Sequence, residues 1–529
     1  MAPDYIVVGA GSAGCVLANR LSAKHDVLLL EAGGPSRNLL YRMPLSATKL
    51  WFNPKSSWML MSDPEPGLGG RSIPVPRGKA LGGSSAINGT VYNRGSPLDY
   101  DSWADLGLKG WDHASLLPHF RRIENHWRGG DELHGGGGEV RVSPLSVRSP
   151  FHAPFLAAAR QMGLPVTEDF VGEVSEGIGL SDFNVDRRGR RVSAYDAFLH
   201  PIRSRRSLRI ECGAQVLRIL IEQGRAVGVE YVQSGETHVV RAGREVILSA
   251  GAIHSPHLLL LSGIGPADEL KRHGIAPVHN APEVGRNLND QPGGSFEFSV
   301  RRPLSFTRAL RADRFALSMI RWGLGLGGVA AGPPMVAMGS LRTPLAGKSP
   351  DLRFVLAAGT MASKVWYPGI TKASAHMLLM GFAVAHPESR GAVTLASADP
   401  LTPPRICYNL LTAPADMVRM KSYYRLLHDL IAQPAFADEV EAVTRPASPP
   451  KDDAALEAYL RAFANTTSHP MGSCRMGVDA GSVVDECCRL RGIAGLRVVD
   501  ASAFPTQISG NPHATVMMFG EKVSRLILG

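Results

Sequence analysis

Three glycines and one glutamate carry the first chemistry in this chain. Asp4-Tyr5-Ile6-Val7-Val8 runs into Gly9-Ala10-Gly11-Ser12-Ala13-Gly14. An apolar stretch follows to Leu21, then a second apolar run, Val27 to Leu30, that ends in Glu31. A Gly-x-Gly-x-x-Gly turn between a strand and a helix is a dinucleotide site. Gly9 allows the tight turn, Gly11 lets backbone approach a pyrophosphate, and Gly14 lets helix and strand pack closely. The helix N-terminus adds unsatisfied N–H groups and the positive end of a dipole. Glu31 stands roughly 20 residues on, the spacing at which an acid takes ribose hydroxyls. The pattern specifies a nucleotide without separating FAD from NAD.

Two further segments hold residues of chemical interest. Gly78-Lys79-Ala80-Leu81-Gly82-Gly83-Ser84-Ser85-Ala86-Ile87-Asn88 pairs glycines with polar handles. Paired glycines let backbone lie against a flat or anionic ligand. Gly251 to Gly265 reads as a strand exit, a helix and a Gly-closed turn, and contains His254 and His257. That spacing suits a metal pair, but no third ligand lies nearby, so both are read as structural and no metal is expected.

These residues need elements to position them. The first βαβ piece ends near residue 35. Gly34 to Gly83 shows little periodicity and holds Trp51, Phe52 and Trp58, as expected of a segment that wraps a ligand. Gly129-Gly130 and Gly135 to Gly138 mark an exposed loop. Strand signals resume at Leu208-Arg209-Ile210, Val216 to Ile221, Ala226 to Val232 and Arg244 to Ser249. Alternation at Phe296-Glu297-Phe298-Ser299-Val300 predicts an antiparallel sheet, and Leu496 to Asp500 is a late strand. The nucleotide domain is therefore expected to be discontinuous, with a second domain threaded through it. Residues 1–150 and 201–294 are its first two parts, 151–200 an insertion belonging to the substrate domain, and 295–464 the substrate domain. Residues 465–529 form a C-terminal segment that completes the nucleotide domain.

Composition narrows the class. At 529 residues the chain is too long for one core. With 44% hydrophobic and 20% charged residues it reads as globular. A net charge of +10 could favour anionic substrates or a membrane surface, although a plain basic surface accounts for it. The arginines at 187, 188, 190, 191, 203, 205 and 206 lack interleaved aromatics, so nucleic acid is not a partner. The six cysteines form no Cys-x-x-Cys pair, which disfavours disulfides and zinc. The chain opens directly on the nucleotide strand, so no secretory leader and a reducing, cytoplasmic setting are expected. Phe315 to Gly339 is apolar but broken by Arg321, glycines and Pro333-Pro334. It is read as a buried or lid-forming segment rather than a membrane span.

Together the fingerprint, the Gly-Gly-Ser-Ser-x-x-Asn segment and the Ser255-Pro256…Ser262-Gly263-Ile264-Gly265 segment resemble the glucose–methanol–choline (GMC) oxidoreductase family. The likeness continues in Ala226 to Tyr231, Val284 to Asp290 and His469 to Lys522, and spans essentially the whole chain. Gly78 to Ser85 with Tyr92-Asn93-Arg94-Gly95 is most similar to the bacterial choline-dehydrogenase-like branch. The resemblance implies an α/β fold: a Rossmann-like, discontinuous FAD-binding domain and a substrate-binding domain with an antiparallel sheet. It implies oxidation of an alcohol, primary in the first instance, to a carbonyl. Some family members attach FAD through a histidine just after the Gly-Gly-x-Ser stretch. Ile87 stands there in this chain, so FAD is expected to be non-covalent.

By the same correspondence Ser12 and Ala13 would meet the pyrophosphate, Glu31 the ribose, and Ser84 and Asn88 the flavin. Val216 would meet the adenine end, and Asp500 and Ala501 the pyrophosphate and ribityl chain. Gly9, Gly11, Gly14, Ala32, Leu81, Gly83, Gly89 and Ala514 complete the implied cofactor site. His469-Pro470-Met471-Gly472 resembles the family's active-site histidine motif, which makes His469 the implied base. Its implied partner is His513, with Asn511 the alternative if the loop aligns differently. A neutral imidazole can take the hydroxyl proton around neutral pH while hydride leaves for flavin N5. A second donor would hold the developing alkoxide. Relatives often carry a bulky aromatic where this chain has Ser468, so a larger chamber is possible. Trp51, Phe52, Trp366 and Tyr367 are candidate chamber walls. A hydroxynitrile-lyase-like activity on the same fold is the alternative. No readable motif separates oxygen from a quinone or other redox partner as electron acceptor.

Overall fold

The computed structural model describes residues 2–171 and 175–529. Two sheets organise it. The first is parallel throughout, in the order Leu208–Cys212, Val27–Glu31, Tyr5–Val8, Glu245–Leu248, Leu496–Val498. Its strands are buried on both faces, which is why Tyr5–Val8 and Val27–Leu30 read as unbroken apolar runs. They come from three distant stretches of the chain. Helix Ser12–Leu21 packs between this sheet and the C-terminal helix Pro512–Leu528. Its residues Cys15, Val16, Leu17 and Leu21 are fully buried. Burial of side chains of this size contributes roughly 1.5–3 kcal/mol each. Arg20 holds the two helices together from the side, donating to Glu521 at 2.6 Å.

The second sheet is antiparallel, in the order Val440–Arg445, Pro292–Val300, Met377–Val384, Leu352–Ala357, Met335–Leu341, Gly177–Gly179. The short strand Asn465–Thr466 pairs with Pro292–Val300. Alternation sets its two faces. Phe296, Phe298 and Val300, with Leu352, Phe354 and Leu356, are buried on one side. Gly293, Ser295, Arg353 and Val355 are partly open on the other. A separate three-stranded antiparallel sheet, Ala214–Glu222, Arg225–Gln233 and Glu236–Arg241, follows the Leu208 strand.

Residues 34–83 form short helices (Leu39–Arg42, Ala47–Trp51) and a two-stranded pair (Leu60–Met61 with Pro74–Val75), and they bring the second glycine segment back to the fingerprint. The Gly82 N–H donates to the Ala10 carbonyl at 2.8 Å. A side chain at Gly83 would come within 2.8 Å of Gly11 Cα, so only glycine permits this approach. The Phe315–Gly339 stretch, expected to be buried or lid-forming, is buried only in part. It joins the end of an amphipathic helix, Ala312–Gly323, to a buried strand, and Leu317, Ile320, Leu324 and Leu326 are exposed. Trp322, Ala330 and Ala331 dock inward with Met43, Met319 packs against them, and the strand residues 335–339 are buried. Among the described residues no helix is long and apolar enough to cross a membrane.

Candidate active site

A cavity of about 940 Å³ lies between the two sheets. One end is the fingerprint turn, and the other is a chamber floored by the antiparallel sheet. Gly9 adopts φ +98°, a conformation open to glycine, and a Cβ there would strike Ser249 O at 2.6 Å. A Cβ at Gly14 would lie 1.9 Å from the Gly9 carbonyl, so this glycine serves helix–strand contact. At Gly11 the nearest protein atom to an added Cβ is 3.7 Å away, which leaves that side open to a ligand. Helix Ser12–Leu21 begins there with no side-chain cap and no acid in its first turn. Its free N–H groups suit a pyrophosphate.

Glu31 ends the second strand and accepts from the Ala10 N–H (2.9 Å) and the Gly33 N–H (2.8 Å). Burial pushes its carboxyl up to about 7 despite those bonds. Asp500 accepts from the Gly251 N–H (2.9 Å), the Ser255 hydroxyl (2.5 Å) and the Ser502 N–H (2.8 Å). Asn88 is aimed by Arg191, which donates to its side-chain oxygen at 2.7 Å and its carbonyl at 2.6 Å. That leaves the Asn88 amide nitrogen free to donate. Ala13, Ala32, Ser84, Gly89, Val216 and Ala501 line the same cavity. Two expectations are corrected: Leu81 and Ala514 lie behind the wall, at 4% and 2% exposure. Gly14 contributes packing rather than lining.

The chamber end is built around His469. Its Nδ1 meets Gln291 Oε1 at 2.9 Å, and its Nε2 meets Asn511 Nδ2 at 3.1 Å. Obligate donors and acceptors fix the directions. Gln291 Nε2 donates to the carbonyls of Ala385 (3.1 Å) and Ile508 (3.0 Å), so Oε1 is the acceptor. It receives Arg353 Nη1–H at 2.9 Å and the His469 Nδ1 proton. Asn511 Oδ1 receives Arg353 Nη2–H at 2.6 Å and Asn93 Nδ2–H at 2.9 Å, so its Nδ2 donates toward His469. His469 therefore keeps its lone pair on Nε2. Burial, with the Arg353 and Arg77 guanidinium charges, holds its pKa well below the usual histidine value. The result is a neutral base beside an amide donor, both on the cavity wall.

His513 takes a different place. Its Nδ1 hydrogen-bonds Ser12 Oγ at 2.8 Å, while its Nε2 is buried without a partner. Burial and the Arg191 charge lower its pKa to about 3. The expected His469–His513 pairing is thus corrected. Helix Pro512–Leu528 starts at Pro512, so Asn511, as N-cap, turns toward His469, and His513, one residue into the helix, turns toward the fingerprint. The unpartnered Nε2, the open side of Gly11 and the free Asn88 amide together fit FAD. Ile87 occupies the position considered for covalent attachment and is apolar and buried.

Other expectations divide. Trp51 and Phe52 line the cavity, whereas Trp366 and Tyr367 do not. Trp366 is turned away to donate to the Thr307 carbonyl at 3.0 Å, and Tyr367 is exposed. Ser468 lines the chamber with φ +64°. His254 packs against Trp58 with centroids 4.3 Å apart and planes tilted by 35°, and burial lowers its pKa to about 3. Sequence reasoning missed Gln291, Arg353, Asn93 and Arg191. Gln291 directly follows the Val284–Asp290 block, and Arg353 interrupts an otherwise apolar strand, Leu352-Arg353-Phe354-Val355-Leu356. Both signals were readable.

Comparison with known proteins agrees with this architecture. Family models described as GMC oxidoreductase match residues 3–293 and 387–520. An oxygen-dependent choline dehydrogenase of Vibrio vulnificus is 38% identical over 99% of this chain and 94% of its own length. The mitochondrial choline dehydrogenase of Homo sapiens is also 38% identical, over 99% and 90%. Among solved structures, pyridoxine 4-oxidase from Mesorbium loti superposes with a TM-score of 0.87 at 29% identity, covering 99% of this chain and 98% of that one. A formate oxidase of Aspergillus oryzae superposes at 0.91 with 28% identity and the same coverage. By fold and by sequence the chain belongs to the GMC oxidoreductase family, enzymes that act on CH–OH groups.

Proposed function

We propose that this protein oxidises an alcohol, in the first instance a primary one, to its carbonyl, with His469 as base and Asn511 as its partner. One observation carries the reading. His469 Nε2 and Asn511 Nδ2, an acceptor and a donor 3.1 Å apart, meet on the chamber wall at the end of a dinucleotide cavity. A hydroxyl placed against both can give its proton to Nε2 while its oxygen accepts from Nδ2. As the proton moves, Asn511 holds the developing alkoxide. Gln291 keeps the resulting imidazolium oriented through Nδ1. FAD, when bound, supplies the hydride acceptor. Ser12, Asn88 and His513 would face it, and the absence of a histidine at position 87 supports non-covalent attachment. Positioned proton transfer of this kind contributes roughly 10²–10⁴ in rate.

The electron acceptor is oxygen or a quinone-type partner. A reducing cytoplasm is supported by six cysteines that all stand as free thiols. The test is direct. His469→Ala should retain its yellow flavin and lose anaerobic flavin bleaching by alcohols. Full-speed bleaching by that variant would remove His469 from the mechanism. If no alcohol bleaches the wild-type flavin, the lyase alternative is favoured.

A further inference from the structure

Resting on the reading above, we propose that the alcohol carries a carboxylate or similar anionic group, anchored by Arg353, and that the site rejects quaternary ammonium alcohols. The argument starts from charge on the chamber wall. The cavity lining contains three arginines, Arg77, Arg353 and Arg445. Arg445 has a partner in Glu297 at 2.8 Å. Among the described residues neither Arg77 nor Arg353 has a carboxylate within ion-pair distance. Arg77 donates only to the carbonyls of Pro76 (2.6 Å) and Ser468 (2.9 Å). Arg353 spends two of its five N–H groups on Gln291 and Asn511. Among the described residues the lining acids are Glu31 and Asp500, each bound to backbone amides of the nucleotide region.

Arg353 is half-buried, and burial lowers its pKa with only the Asp99 carboxylate, beyond ion-pair distance, to offset it; an anion from solution would relieve that cost. The floor leaves space for one. Register sets Arg353 opposite Ala383, and Ala383 opposite Gly293. In the next row Val355 faces Gly381, and Gly381 faces Ser295. Apart from Val355 and Met338, the register neighbours of Arg353 are small, and Arg353 is the one charged side chain in these two rows. A carboxylate matches the planar fork of a guanidinium. The same charge would repel an ammonium. Two aromatic faces of the lining already carry a cation: Lys79 Nζ lies 4.3 Å over Trp58, and Arg445 lies 5.8 Å over Phe463. Likeness to proteins named choline dehydrogenase therefore does not carry choline to this site.

The experiment titrates the FAD-loaded enzyme with benzoate, benzamide and benzyltrimethylammonium, reading the flavin difference spectrum. Arg353→Gln and Arg353→Lys are measured alongside, with far-UV circular dichroism and flavin content as fold controls. Wild type should bind benzoate about 10- to 100-fold more tightly than benzamide, as expected of a charge-assisted pair, and should not bind the ammonium. The preference should vanish in Arg353→Gln and partly return in Arg353→Lys. Equal binding of benzoate and benzamide by wild type, or a preference that survives in a folded Arg353→Gln, overturns the anchor. If Arg353→Gln fails its fold controls, the wild-type benzoate-to-benzamide ratio and the Arg353→Lys value decide. Anaerobic flavin reduction by 4-(hydroxymethyl)benzoate and by benzyl alcohol separates the two readings. Benzoate binding without reduction by any alcohol keeps the anchor and overturns alcohol oxidation. Reduction of both alcohols at equal efficiency overturns the anchor alone.

Discussion

The catalytic proposal turns on one residue's choice of neighbour. Asn511 and His513 stand two positions apart, and both were candidates. The helix beginning at Pro512 sends the first toward His469 and the second toward Ser12. Their substitutions should therefore differ in kind. Asn511→Ala should lower the rate of flavin reduction by about 10²–10³, the usual cost of losing an oxyanion donor, with flavin content unchanged. His513→Ala should act first on flavin retention. A larger loss of reduction rate in His513→Ala with full flavin content would restore His513 as the partner. The depressed pKa of His469 adds a pH expectation. A base whose pKa falls below 6.5 stays unprotonated through that value. Stopped-flow reduction should then be flat from about pH 9 to pH 6 and fall only in more acid solution. A limb centred at 6.5 would show that the imidazole titrates as if exposed.

At the scale of elements, the turn from Val8 into helix Ser12–Leu21 separates two roles that share one motif. Gly14 touches Gly9, whereas Gly11 borders open space in the cavity. Gly14→Ala places a methyl 1.9 Å from a backbone oxygen and should prevent stable folding. Gly11→Ala meets no protein atom closer than 3.7 Å, so the apo fold should keep its melting temperature while FAD affinity drops. Circular dichroism melts and flavin stoichiometry after gel filtration check both. An apo Gly11→Ala protein that fails to fold would contradict the division. The sequence motif already assigned the three glycines these separate roles. The division between packing and ligand contact rests on the distance from each glycine to Ser249, Ala250 and Gly9 across the turn.

For the whole molecule, the proposed cofactor cavity is the seam between two sheets, walled by Val8, Leu30 and Val216 on one side and by Phe354 and Phe382 on the other. A ligand filling it stabilises the native state by mass action, about 2.7 kcal/mol at a hundredfold excess over Kd. Stripping FAD should lower the melting temperature, and added FAD should restore it in a concentration-dependent way. A melting temperature insensitive to FAD would mean that this seam is not the cofactor site. The fingerprint, the strands flanking it and the family were legible from local pattern, because strand–turn–helix chemistry is encoded within about 30 residues. Antiparallel alternation was legible for the same reason. The exposure of Leu317 and Ile320 was not, since apolar composition does not say which face finds a partner. Neither was the network of Gln291, Arg353, Asn93 and Asn511 around His469. Its members are separated by up to hundreds of positions and acquire donor and acceptor roles only from each other. Sequence alone determined that a dinucleotide and a C-terminal histidine belong to this protein. Tertiary structure decided which atom of that histidine faces the cavity, and which neighbour holds it, because hydrogen-bond direction is a property of groups brought together in space.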